Sequence, residues 1–204
     1  MEQNQECGVR HRFAVVHRDR VPNAYPERMA ELIRWCQVFD EEGLAPVAGG
    51  ASAGNLSFRT PGGFVITPSR SRLKSDLKWS SLVEVVRADW CGFALHVLGP
   101  SVPSSDSFLH EEIYARRVDV QAVFHGHDDL VLGHADRLAR ALPIVVTAES
   151  RLFGTIQDAR ETARELGPSN YIIRKGHGFV AVGRSMQEAG EWAVDVHRRA
   201  AALG

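Results

Sequence analysis

His125 and His127 close an apolar run in the segment QAVFHGHDD, residues 121–129, and two carboxylates stand directly behind them. Side chains at i and i+2 of a strand share one face, about 7 Å apart along the chain, so the two rings point the same way. A third imidazole, His177, lies in the turn Lys175-Gly-His-Gly178, where flanking glycines let the backbone come close and aim the ring. Three neutral imidazoles are a good ligand set for zinc or another borderline divalent cation, and they leave a coordination position open for substrate. The bland alternative is ordinary packing, and an H-x-H spacing does not by itself separate the two. His96, His110, His134 and His197 carry no such pattern and read as surface or core residues.

Two further clusters could bind an anion. Pro103-Ser-Ser-Asp106 stands directly before a helical pattern, where free amide donors favour phosphate and Ser104 and Ser105 could add hydroxyls. Ser and Asp are also preferred helix caps, so capping alone accounts for them. Gly54-Asn-Leu-Ser57 and Thr67-Pro-Ser69 are polar loops around one hairpin, and by themselves they are turn chemistry.

The elements that must position these residues follow from periodicity. Met29, Leu32, Ile33, Cys36 and Phe39 recur at helical steps, and that helix stops near Gly43. A Gly-rich loop then enters a hairpin turning at Pro61-Gly62-Gly63, and VEVVRADWCGFALHVLG reads as a second strand pair turning near Asp89 to Gly92. SDSFLHEEIYARR switches to helical spacing, with Phe108, Leu109, Ile113 and Tyr114 inward. Behind the histidine strand come a short helix through LVLGHADRLARAL, capped by Asp128 and Asp129, the strand PIVVTA, a helix from Gln157 to about Glu165, the strands YIIR and FVAVG, and a last helix. Ser185-Met-Gln-Glu188 is a capping box opening that helix, with Trp192, Ala193 and Val196 on its inner face. Asp128 or Asp129 could also orient a metal-bound histidine. The pattern predicts an α/β layered domain with a mixed, largely antiparallel sheet.

With 204 residues the chain can bury one sizeable core, read here as a single domain over residues 26–204 after an N-terminal extension or early loop over 1–25. A net charge of −1 gives no reason to expect nucleic acid or an anionic membrane as partner. Cys7, Cys36 and Cys91 are odd in number and widely spaced, which points to a reducing compartment, and no apolar run approaches a membrane span, so the expected location is the cytoplasm.

Taken in order, GNLSFR, ITPS, PSSD, LHEEIYARRVDVQAVFHGH, FGT and KGHGFVAVG resemble the class II aldolase/adducin family from about Arg28 onward. The resemblance implies a three-layer αβα sandwich, a homotetramer with a divalent metal at the subunit interface, and retro-aldol cleavage of a small phosphorylated ketose through a metal-stabilised enediolate. By position it makes His125, His127 and His177 the metal ligands, with zinc first and manganese, cobalt or iron as alternatives. Asn55, Thr67, Ser69, Ser104 and Ser105 become the phosphate-holding loops. Asp106 stands where family members carry a catalytic glutamate or an aspartate near the metal, and both fourth ligand and base remain open to it.

Three departures bear on substrate and chemistry. Arg70 follows Ser69 where the family commonly has glycine, so its guanidinium either binds a substrate anion or blocks the usual mode. The sequence ends at Gly204 without the tyrosine-bearing tail of aldolase-like members, and none of Tyr25, Tyr114 and Tyr171 is an obvious proton donor. Glu149, 22 residues after His127, matches the position of a catalytic glutamate in the family's dehydratases and is the second candidate for acid–base work. Epimerisation, dehydration or decarboxylation would use the same site, and a non-catalytic assembly domain is the rival from another class.

Overall fold

The computed structural model describes residues 13–18 and 25–204. In chain order its first half contains β1 (Ala14–Arg18), α1 (Pro26–Glu41), β2 (Val47–Ala48), β3 (Ala51–Ser52), β4 (Asn55–Thr60), β5 (Gly63–Ile66), a 3-10 turn at Trp79–Ser81, β6 (Val83–Asp89) and β7 (Ala94–Leu98). The second half contains α2 (Ser107–Arg116), β8 (Ala122–Gly126), α3 (Asp129–Gly133), α4 (Ala135–Ala141), β9 (Val145–Val146), α5 (Ile156–Leu166), β10 (Tyr171–Arg174), β11 (Gly178–Gly183) and α6 (Met186–Ala201). The expectation of a mixed sheet holds. Nine strands form one sheet in the order β1-β7-β6-β5-β4-β8-β11-β10-β9, parallel at the two outer pairs and antiparallel at every pair between.

Burial explains the strand order. Every residue of β8 is buried, and β8 lies between β4 and β11, so its apolar run belongs to a strand covered on both faces. Pro26 in the first turn and the buried stripe Met29, Leu32, Cys36 and Phe39 make α1 as its spacing predicts. That stripe packs in one apolar core with Phe124 and Phe179 and with Ala189, Ala193 and Val196 of α6. A second core joins Phe108 and Ile113 of α2 and Ala163 of α5 to Val123 and Val180. Ser185 caps α6 by accepting the Glu188 amide at 3.1 Å, while the Glu188 carboxylate accepts the amide of Arg184 at 2.7 Å.

Several expectations need correction. Ala14–Arg18, inside the segment read as an extension or loop, is an edge strand paired in parallel with β7; Cys7, Pro22 and most of the rest of that segment lie outside the described residues. The Gly-rich loop before β4 contains a small hairpin of its own, β2 with β3. The strand expected over PIVVTA shrinks to Val145–Val146, and the helix expected after it in the chain's reverse direction, through LVLGHADRLARAL, is two short helices broken at His134. No helix among the described residues is long and apolar enough to cross a membrane.

Candidate metal centre and active-site pocket

The end of β8 and the turn between β10 and β11 bring three imidazoles together. His125 Nε2 lies 3.1 Å from His177 Nε2 and 3.2 Å from His127 Nε2. His127 sits one residue beyond the strand, yet its ring converges with that of His125 as the i+2 spacing predicts. Gly178 allows the approach of the two strands, since a Cβ there would lie 2.3 Å from the Gly126 carbonyl oxygen.

The donor set can be tested for fit to a cation. His125 Nδ1 donates to the carbonyl of Phe179 at 2.6 Å, which leaves Nε2 with a lone pair facing the other two rings. Without a cation, each of the other two Nε2 atoms would turn either an N–H or a further lone pair on that one lone pair. A tetrahedral ion with Zn–N bonds near 2.0–2.1 Å separates its nitrogen ligands by roughly 3.3 Å, close to the spacing seen. Burial, ahead of the Arg174 charge, pushes His177 down to about 3, and burial also holds His125 and His127 below their ordinary range. All three are therefore neutral ligands at physiological pH, and they can hold a metal ion.

Asp106 completes the cluster. Its Oδ2 is 3.5 Å from His125 Nε2, and its Oδ1 is buried with no hydrogen-bond partner among the described residues. Asp106 occupies the N-cap position of α2 but its side chain does not cap, so the bland reading fails for this residue. Ser104 Oγ instead accepts the Asp106 amide at 3.3 Å. The carboxylate is aimed by Asn55, whose Nδ2 donates to Oδ2 at 2.9 Å. Register explains this contact: Asn55 on β4 pairs directly with His125 on β8.

Asn55 is itself fixed from behind. His110 Nε2 donates to Asn55 Oδ1 at 2.6 Å, and His110 Nδ1 faces Ser57 Oγ at 2.7 Å, which in turn meets Tyr114 Oη at 2.8 Å. Burial pushes His110 down to about 4, so a neutral ring accepts from Ser57 and donates to Asn55. His110 is a core residue, as expected, with the added task of orienting the Asp106 carboxylate through Asn55. Burial would raise the Asp106 carboxyl, but His125, Arg174, His177 and the Asn55 amide outweigh it and hold the group well below the usual carboxylate range. With the imidazoles neutral, Arg174 is the charge that persists.

The histidine cluster lies in a pocket of about 230 Å³ whose lining includes Ser69, Arg70, Ser104 and Ser105. An isolated bridge between Pro68 and Pro103, and the Ser69 amide donating to Val102 O at 2.9 Å, bind the two serine-bearing loops side by side. Gly54 also lines this pocket, at φ +71, and a Cβ on it would meet the His125 carbonyl oxygen at 2.4 Å. Thr67 departs from its expected place among the phosphate loops: it is fully buried and accepts the Leu56 amide at 3.2 Å, bracing the β4–β5 hairpin. Glu149 is exposed and lines a separate cavity of about 10 Å³ with Arg174 and His177. Asp128 accepts the amides of Leu130 and Val131, as a cap, and pairs with His197 at 2.7 Å instead of orienting a metal ligand.

Arg70 adopts φ 60, a left-handed conformation that favours glycine and costs a side chain about 1 kcal/mol. An arginine held there, exposed and lining the pocket beside Ser69, fits anion recognition. Arg70→Gly is expected to leave Tm within a few degrees, because relief of strain offsets the entropy gained by the unfolded chain. The same change should raise KM for a phosphorylated substrate roughly 10-fold, the loss of one charge-assisted contact. An unchanged KM would remove Arg70 from the binding site.

A family model for the class II aldolase and adducin N-terminal domain matches residues 30–203. The chain belongs to this family. A 5-methylthioribulose-1-phosphate/5-deoxyribulose-1-phosphate aldolase of Rhodospirillum rubrum is 30% identical to it over 161 residues, covering 73% of this chain and 69% of that protein. A methylthioribulose-1-phosphate dehydratase of Acidiphilium cryptum is 29% identical over 182 residues, 78% of this chain and 82% of that protein. A solved sugar-phosphate aldolase from Thermotoga maritima shares the fold at a TM-score of 0.71 and 19% identity, with 87% of this chain and 94% of that chain covered.

Two buried cations beside the candidate site of this class II aldolase-family domain escaped sequence reasoning. Arg174 ends the buried strand β10 and pairs with Asp158 at 2.5 Å, while its Nε and Nη1 are buried without partners among the described residues. A lone cation at the end of YIIR, three residues before His177, was the available signal. Lys74 lines the metal pocket at 1% exposure, and nothing in SRLKSDL distinguishes it from a solvated lysine.

Proposed function

We propose that this class II aldolase-family domain is a metal-dependent lyase that cleaves a small phosphorylated ketose by a retro-aldol reaction. The observation that carries this reading is one pocket lined by three imidazoles with convergent Nε2 atoms, by buried Asp106, and by Ser69, Arg70, Ser104 and Ser105. His125, His127 and His177 would hold the cation, zinc first among the candidates. The ion, when bound, supplies Lewis acidity that stabilises the enediolate formed on C–C cleavage.

The residues of the chain divide the remaining work. Ser69, Arg70 and Ser104–Ser105 bind the phosphate and so place the scissile bond over the histidines. Asp106, anionic and aimed by Asn55, exchanges the proton at the carbon next to the carbonyl. It takes this role ahead of Glu149, because Asp106 lines the histidine pocket and Glu149 does not. The two apolar cores, one with α1 and α6 and the other with α2 and α5, support a three-layer αβα arrangement. A cytoplasmic homotetramer with interface sites completes the proposal, and sedimentation of the purified chain tests it.

A second reading has its own support. Dehydration of the same substrate class uses the same proton abstraction, and one relative is named as a dehydratase of methylthioribulose 1-phosphate while another is named as an aldolase of it. The deciding experiment incubates the metal-loaded protein with 5-methylthioribulose 1-phosphate, 5-deoxyribulose 1-phosphate and L-fuculose 1-phosphate and identifies products by NMR. Dihydroxyacetone phosphate with an aldehyde means cleavage; a product of unchanged carbon count that has lost water means dehydration. No turnover of any of the three would sink both.

Asp106→Asn is expected to keep full metal stoichiometry and lower kcat by roughly 10²–10⁴-fold, the range of a lost acid–base group. Metal analysis beside the rate measurement separates this from loss of a ligand. A variant that keeps its rate would remove Asp106 from proton transfer.

A further inference from the structure

Lys74 is a buried amine without a carboxylate. Of the 24 lysines and arginines in the chain only Lys74, Lys78 and Lys175 are lysines, and the other two are exposed. The Lys74 ammonium donates to Ser52 Oγ at 2.8 Å and to Ser52 O at 3.4 Å, and no acidic side chain among the described residues lies within ion-pair distance of it. An uncompensated buried cation is costly, and an arginine could not shed its charge whereas a lysine can.

The groups that face Lys74 come from three directions. Cys36 and Asp40 lie on α1, Ser52 on β3, and His127 at the end of β8. Burial pushes the Cys36 thiol up to about 12, and Asp40 is engaged by the Ser75 amide at 2.6 Å. Burial accordingly lowers Lys74 from its ordinary value, against the opposite pull of Cys36 and Asp40. Lys74 and Asp106 line the same pocket, and the charges of both bear on His127.

We propose that Lys74 is the second acid–base residue of this pocket, serving the substrate hydroxyl. This rests on the lyase reading above. Among the described residues lining the pocket, Lys74 is the one amine, buried and held by Ser52 with no carboxylate within ion-pair distance. In the cleavage direction its neutral amine takes the proton of the hydroxyl on the far carbon of the scissile bond. The O–H electron pair becomes the new carbonyl, the C–C pair passes to the enediolate, and the aldehyde leaves. The enediolate carbon then takes a proton from solvent through Asp106 and the ammonium returns one to solvent, so the two transfers cancel.

The test compares Lys74→Arg and Lys74→Met with the native protein on 5-methylthioribulose 1-phosphate, 5-deoxyribulose 1-phosphate and L-fuculose 1-phosphate, with metal content measured in each. Both variants should keep their metal and a KM within about threefold, and lose about 100-fold or more in kcat. The native kcat/KM should rise with pH through the Lys74 titration, and this limb should vanish in both variants. Independently of turnover, ¹³C-lysine labelling of the native protein gives three Cε resonances, of which Lys74 should titrate well below an ordinary lysine. Full activity in Lys74→Arg would overturn proton transfer in favour of charge alone, and an ordinary Lys74 titration would overturn it without any variant. If the native protein turns over none of the three sugars, the lyase reading falls and takes the proposal with it.

Discussion

His127→Ala is expected to abolish both metal retention and turnover while leaving the fold intact. The ring is half-buried at the end of β8 and belongs to neither apolar core, so truncation leaves no cavity inside the packing. It does remove one of three nitrogens, and two imidazoles hold a borderline dication far less tightly than three. A Lewis-acid cation contributes several kcal/mol to stabilising an enediolate, so kcat should fall roughly 10³-fold or more. Exhaustive chelation of the native protein should do the same, and restored zinc should rescue the native protein but not the variant. A thermal measurement separates site from fold: with chelator present the two proteins should share one Tm, and added zinc should raise the native value alone, since a ligand stabilises only the state that binds it. Full activity after exhaustive chelation would end the metal reading.

The second large effect is on stability. Arg174 and Asp158 are both nearly inaccessible, joined at 2.5 Å, and Asp158 also accepts from Thr162 at 3.2 Å. Burial raises the Asp158 carboxyl against the opposing pull of Arg174, so its ionised form depends on the guanidinium. Arg174→Met would strand a buried carboxylate, at a cost of about 3–5 kcal/mol. For a chain of this length that lowers Tm by roughly 10 °C. Adding Asp158→Leu should recover most of the loss, because an apolar pair of similar volume can replace a buried ion pair at little cost. The rescued double variant then isolates the electrostatic role: it lacks the persistent charge near Asp106. If Arg174→Met melts with the native protein, the pair is not a stabilising feature of the fold.

Much of the fold was legible along the chain. The stripe from Met29 to Phe39, the hairpin at Pro61-Gly62-Gly63 and the caps at Asp128 and Ser185 are set by interactions within one turn or one hairpin, where period and capping chemistry decide the outcome. Weak local signals failed: β1 and the β2–β3 hairpin are short and owe their form to the partners they meet.

The sequence by itself determined the histidine set, the serine loops, the α/β class and the resemblance to one family, because each is written in residue types at short or ordered spacing. Only the tertiary structure decided that Thr67 braces a hairpin, that Asp106 turns away from capping to join the histidines, that His110 orients it through Asn55, and that Lys74 and Arg174 are buried beside the same cluster. Those outcomes depend on strand register and on desolvation. Both arise from many small packing contributions between residues far apart in the chain, and no local pattern records their sum.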